Sequence, residues 1–125
     1  MLYSDYIRHK GWLIKVPYSF SKASPNDINK VCNGMGPKNF GWLVPDTMYG
    51  LNLEAAGDVH DWMYAYPEEW TREEADKIFK NNMYSIIKQN GGWKWVQWLR
   101  KRRALKYYKI VRAHGHKHFS KKEQA

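Results

Sequence analysis

The chain has 125 residues, 43% of them apolar and 16% aromatic, with a formal charge of +9, which fits a single domain spanning residues 1–125 and excludes intrinsic disorder. No apolar run approaches the roughly 20 residues that cross a bilayer, and the amino terminus lacks the continuous apolar stretch of a secretory signal, so cytoplasmic synthesis is expected. Cys32 is the only cysteine, which rules out an intrachain disulfide and suits a reducing compartment.

Taken in chain order, Trp12 to Val16 reads as a strand, and the Ser, Pro, Asn and Asp cluster at 21–27 reads as a turn. Neither suggests chemistry. Residues 32–50 carry Gly34, Gly36, Gly41 and Gly50 with Pro37 and Pro45, a composition of ordered loop or paired turns.

Asn52 can cap a helix running to about Tyr66, with Leu53, Ala56, His60 and Tyr64 (or Met63) along one face and Pro67 as its stop. The next helix is the clearest in the chain. Thr71 and Glu74 form a capping box, Ala75, Ile78, Phe79, Met83, Ile86 and Ile87 make an apolar stripe, and Asn90, Gly91 and Gly92 end it. A third helix is expected from Trp93 to His114, with tryptophan and tyrosine on more than one face and Gly115 as its stop. The fold expected is therefore mainly α, with an antiparallel two-helix hairpin, a preceding glycine-rich loop and a basic third helix.

The short connection between the first two helices brings His60 and Asp76 to nearly the same height. A carboxylate accepting one ring N–H fixes the imidazole tautomer and leaves the other nitrogen able to take a proton from water, and Tyr64, one turn from His60, can donate to Asp76. The plain alternative is a histidine satisfied inside the core. Asp61 is turned about 100° from His60 and faces the glycine-rich segment, where Cys32 to Pro37 has the small residues needed to wrap main-chain carbonyls around a hard cation.

Gly34-x-Gly36, Glu54-Ala55-Ala56, His60-Asp61-x-x-Tyr64 and Ala75-Asp76-x-x-Phe79 together resemble the motif set of the phospholipase A2 superfamily over residues 32–83. They are most similar to its disulfide-free branch, known from parvovirus capsids and phage proteins. The resemblance implies calcium-dependent hydrolysis of the sn-2 ester of glycerophospholipids. It implies His60 as general base, Asp76 as its orienting acid and Tyr64 as the donor to Asp76. It also implies Ca²⁺ on Asp61 and the carbonyls of Cys32, Gly34 and Gly36, an oxyanion donor at the Gly34 N–H, and release on lysis for a phage product.

Positions 94–125 carry eleven Lys and Arg against the single acid Glu123, so the charge lies in the carboxy-terminal arm and the body is near neutral. Arg100, Lys101, Arg102 and Arg103 with Trp95 and Trp98 suit an anionic lipid surface, and suit nucleic acid equally, with bases stacked on indoles. At least half of the helix's tryptophans are expected to pack against the hairpin. His114, His116 and His118 alternate as in an extended metal ligand set, though a mobile basic tail fits them better. Two functions from different classes follow: a phospholipid ester hydrolase, and a non-enzymatic phage-type protein that binds nucleic acid or anionic surfaces and keeps the hairpin as scaffold.

Overall fold

The computed structural model describes residues 4–32, 47–48, 51–66 and 69–114. These residues are mostly helical, with five helices and two small two-stranded sheets. The elements are β1 (Ser4–His9), β2 (Trp12–Pro17), α1 (Tyr18–Lys22), α2 (Pro25–Cys32), β3 (Thr47–Met48), β4 (Leu51–Asn52), α3 (Glu54–Ala65), α4 (Arg72–Asn90) and α5 (Lys94–His114).

The expected strand at 12–16 is present and has an antiparallel partner that the sequence reading did not anticipate, in register from Ser4↔Pro17 to His9↔Trp12. The turn between them is Lys10 at φ 50° and Gly11 at φ 91°, the left-handed pair that matches the twist of a two-residue hairpin. Lysine is an unusual choice there. Its ammonium reaches α3, 2.8 Å from Asp58 and 3.0 Å from Glu54, so contact with the helix outweighs the local preference for asparagine or aspartate.

The cluster at 21–27 is a helix start rather than a turn. Ser24 Oγ accepts from the Asp27 N–H at 3.1 Å, the Ser24 carbonyl accepts from Ile28, and Pro25 occupies the first helical position, where its missing N–H costs nothing. Residues that favour turns also cap helices, and here the second use won.

β2 lies against α4 through two carboxamides. Asn82 Oδ1 accepts from the Lys15 N–H at 2.9 Å and Asn82 Nδ2 donates to the Lys15 carbonyl at 2.8 Å. Gln89 repeats the pattern on Leu13, at 3.0 and 2.7 Å. Two side chains a heptad apart thus close the free edge of a strand at alternate residues, as a third strand would. On the other side of this contact, Ile14, Val16, Phe79, Met83, Ile86 and Ile87 are fully or almost fully buried.

α4 matches its expected bounds, with both arms of the Thr71–Glu74 capping box formed and Gly91 (φ 68°) ending it. α3 begins one residue later than expected, with Leu53 rather than Asn52 in the cap position. Asn52 sits in β4 and still satisfies the Glu54 N–H, at 2.7 Å. Nearly all of α3 from Ala55 to Tyr64 is buried, including Asp58 and Asp61, rather than one face alone. α5 starts where the Trp93 carbonyl accepts from Val96 and Gln97 and buries Arg100, Ala104, Tyr107 and Val111. The tryptophans just before it and along it are not packed inside as expected: Trp93, Trp95 and Trp98 are all more than half exposed. Among the described residues no helix is long and apolar enough to cross a membrane.

Candidate functional site

α3 and α4 bring His60, Tyr64 and Asp76 together. His60 Nε2 lies 2.6 Å from Asp76 Oδ1, and the Tyr64 hydroxyl donates to the same oxygen at 2.5 Å. Tyr64 follows His60 by one turn, so both side chains leave the same face of α3 and meet one carboxylate. The imidazole is stacked on Phe79, with ring centroids 4.4 Å apart and planes 15° from parallel.

The other oxygen of Asp76 is held by two cations that the sequence reading did not assign to the site. Arg112 of α5 donates from Nη1 at 2.9 Å and Arg72 of α4 from Nη1 at 3.4 Å. Arg72 was legible: it stands four residues before Asp76 on the same helix. Arg112 was not, since nothing in a run of basic residues says which one turns inward. The Arg72 guanidinium also donates to the carbonyls of Val111 and Arg112, at 3.0 and 3.1 Å, and so satisfies the last turn of α5.

Burial by itself raises the Asp76 carboxyl, but the hydrogen bond from His60, with those from Tyr64 and Arg112, outweighs it and holds the acid below its ordinary value. The acid is therefore ionised and can only accept, so the His60 Nε2–H donates the hydrogen bond and keeps its proton. Tyr64 is shifted the other way, well above the ordinary phenol value, by burial and then by the charge of Asp76. It remains a donor.

His60 and Asp76 are both fully buried. Asp61 is 9% exposed and sits one position along α3. Cys32 is the last residue of α2 rather than the first of a loop. Gly34 and Gly36 lie outside the described residues, as do His116 and His118, and with them the proposed cation loop, the oxyanion donor and most of the histidine row. Among the described residues no group of three acidic, histidine or cysteine side chains could hold a metal. Of the basic residues expected to meet an anionic partner, Lys101, Arg102 and Arg103 are exposed, whereas Arg100 is turned inward at 9%. It shares the face of Ala104, Tyr107 and Val111, and so drops out of that set.

A second polar cluster escaped the sequence reading. His9 Nε2 is 2.8 Å from Asp58 Oδ2, which also holds Lys10, and the His9 ring meets Phe20 edge-on at 5.3 Å. It ties the β1–β2 hairpin to α3. Residues 49 positions apart in the chain give no sequence signal for such a contact.

Comparison with known proteins corrects the phospholipase A2 resemblance. The family model described as a protein of unknown function (DUF1353) matches residues 5–100, and the chain belongs to that family. The match contains the whole motif stretch 32–83 and also the β1–β2 hairpin, so the family's unit begins well before the motifs do. No curated protein and no solved structure matches the chain. The physical source of the resemblance is local: a His, a Tyr one turn later and an acid near the start of the next helix are what any helix pair needs to bury an imidazole on a carboxylate.

Proposed function

We propose that this DUF1353 member is a hydrolase of glycerophospholipid esters in which His60 activates water. The observation that supports it is the 2.6 Å contact between His60 Nε2 and the ionised Asp76. That contact commits the ring to one tautomer and makes Nδ1 the basic nitrogen. Water gives a proton to Nδ1 as its oxygen adds to the ester carbonyl; the imidazolium then returns the proton to the leaving alkoxide as the carbon–oxygen bond breaks. Fatty acid and alcohol are the products. Asp76 balances the imidazolium charge, and Tyr64 keeps Asp76 in place.

The finer architecture belongs to the same proposal: α3 and α4 as a catalytic hairpin, preceded by a calcium-binding loop. Asp61 offers one hard oxygen, and the carbonyls of Cys32, Gly34 and Gly36 are the remaining donors proposed for Ca²⁺, with the Gly34 N–H on the developing oxyanion. A bound calcium ion supplies Lewis-acid polarisation of the ester carbonyl. Nothing in the dyad selects the sn-2 ester, so product analysis decides position.

One observation favours the second reading, a non-enzymatic protein with the dyad as scaffold: the His60 ring has no exposed surface. In that reading Asp76 is the polar pin joining α3, α4 and α5. The two are separated by release of fatty acid from phospholipid vesicles with Ca²⁺ and with chelator. Activity that disappears in His60→Gln while the circular dichroism spectrum is retained supports the hydrolase. A wild-type protein that releases no fatty acid at any calcium level leaves the scaffold.

A further inference from the structure

α5 contains no acidic residue over its 21 positions. Its buried residues, Arg100, Ala104, Tyr107 and Val111, recur at spacings of four, three and four and make one stripe. On the opposite side Trp95, Trp98, Arg102, Leu105 and Lys109 recur at spacings of three and four along the same helix. The helix is roughly 30 Å long, and that outer stripe runs most of its length. Trp95 is 63% and Trp98 56% exposed, and the Arg102 guanidinium lies 4.8 Å over the Trp98 ring. Lys94, Lys101 and Lys106 flank the stripe, all exposed.

We infer that this outer face of α5 is a docking surface for a bilayer of anionic phospholipid. Two features choose lipid over nucleic acid. Leu99 and Leu105, both partly exposed, stand among the cations and have no part in stacking on a base, whereas acyl chains accept them. An open depression of about 460 Å³ beside Trp93, Trp95, Val96 and Leu99 is lined mainly by apolar groups. Indoles at headgroup depth with lysine and arginine stems lying outward is the arrangement of an interfacial helix. The same helix reaches Asp76 near its end through Arg112. The inference itself stands on α5 alone and needs no hydrolysis.

The test is co-sedimentation of the full chain, in chelator so that lipid is not consumed, with vesicles of phosphatidylcholine alone or mixed equally with phosphatidylglycerol. Binding is expected only to the mixed vesicles and to weaken with salt. Each cation near such a surface contributes about fivefold to partitioning, so Arg102→Glu with Lys109→Glu is expected to lower it by about 25-fold or more. Lys30→Glu with Lys88→Glu makes the same change in net charge on exposed residues outside α5 and is expected to cost far less. Trp98→Ala is expected to remove part of the blue shift of tryptophan emission that accompanies binding. Equal loss in the two charge-reversal pairs overturns the inference, as does absence of binding to anionic vesicles. Tighter binding to single-stranded DNA than to vesicles through the same residues also overturns it, in favour of nucleic acid. Failure to bind vesicles by a protein that still cleaves a dispersed short-chain ester refutes the docking face and leaves the hydrolase standing.

Discussion

His60 and Asp76, sixteen residues apart on α3 and α4, share a buried hydrogen bond of 2.6 Å in which the carboxylate is also held by Tyr64, Arg112 and Arg72. Removing the acid charge from such a centre leaves two guanidinium groups facing a neutral amide. Asp76→Asn is therefore expected to cost about 3 kcal/mol or more, the usual consequence of removing one partner from a buried ion pair, read as a lowered urea midpoint at constant slope. If the hydrolase reading holds, ester cleavage also falls by about 10²- to 10⁴-fold. An unchanged midpoint would show that the Asp76 network contributes no stability.

The same carboxyl sets a pH dependence. Its folded value lies below its ordinary one of 3.8. At neutral pH it is ionised whether the chain is folded or not, and its stabilisation is fully present. As pH falls below the unfolded value, the unfolded chain takes up a proton that the folded chain resists, so stability declines until the folded group protonates too. Acid titration of the unfolding midpoint is expected to show a fall below about pH 4 that is shallower in Asp76→Asn. Parallel curves for the two proteins would remove Asp76 from the acid transition.

Tyr64 gives a spectroscopic handle. Its hydroxyl is pushed up by burial and by the Asp76 charge, so it stays protonated after exposed tyrosines have ionised at about pH 10. Ultraviolet titration of the nine tyrosines is expected to leave at least one silent until alkaline unfolding. Tyr64→Phe removes one silent group and about 1.5–3 kcal/mol of stability, the cost of a buried charge-assisted hydrogen bond. A tyrosine count before unfolding that falls by one in this variant would instead place Tyr64 among the freely ionising phenols.

How much of this was legible in the sequence differs element by element for physical reasons. α4 could be read because capping box, stripe and glycine stop all agree locally, and agreement of that kind needs no tertiary information. The meeting of His60, Tyr64 and Asp76 was readable from helix rise and a short connection. β1 was not, since Tyr6 and Arg8 are exposed and the strand owes its place to β2 and to Lys10 reaching Asp58. The inward turn of Arg100 and Arg112 was hidden for a related reason: in a helix with eight cations and no acid, charge alone does not show which side chain faces a carboxylate. The family assignment was misread because a short spacing pattern reports a local packing solution, and unrelated chains reach it independently.

The carboxamide ladder between α4 and β2 makes the most local prediction. Asn82 serves both main-chain groups of Lys15 and Gln89 both of Leu13, so each side chain guards one residue of the strand. Replacing Asn82 by alanine removes two hydrogen bonds at a part-buried strand edge and is expected to cost about 2 kcal/mol. Amide hydrogen exchange is expected to speed up at Lys15 and stay slow at Ile14, whose N–H points to the other edge of the strand. Gln89→Ala should do the same at Leu13 and leave Lys15 protected. The reciprocity is the informative part, because loss of global stability accelerates every amide together. If both variants released Leu13 and Lys15 alike, the helix would be holding the strand through its apolar face and the two carboxamides would be incidental.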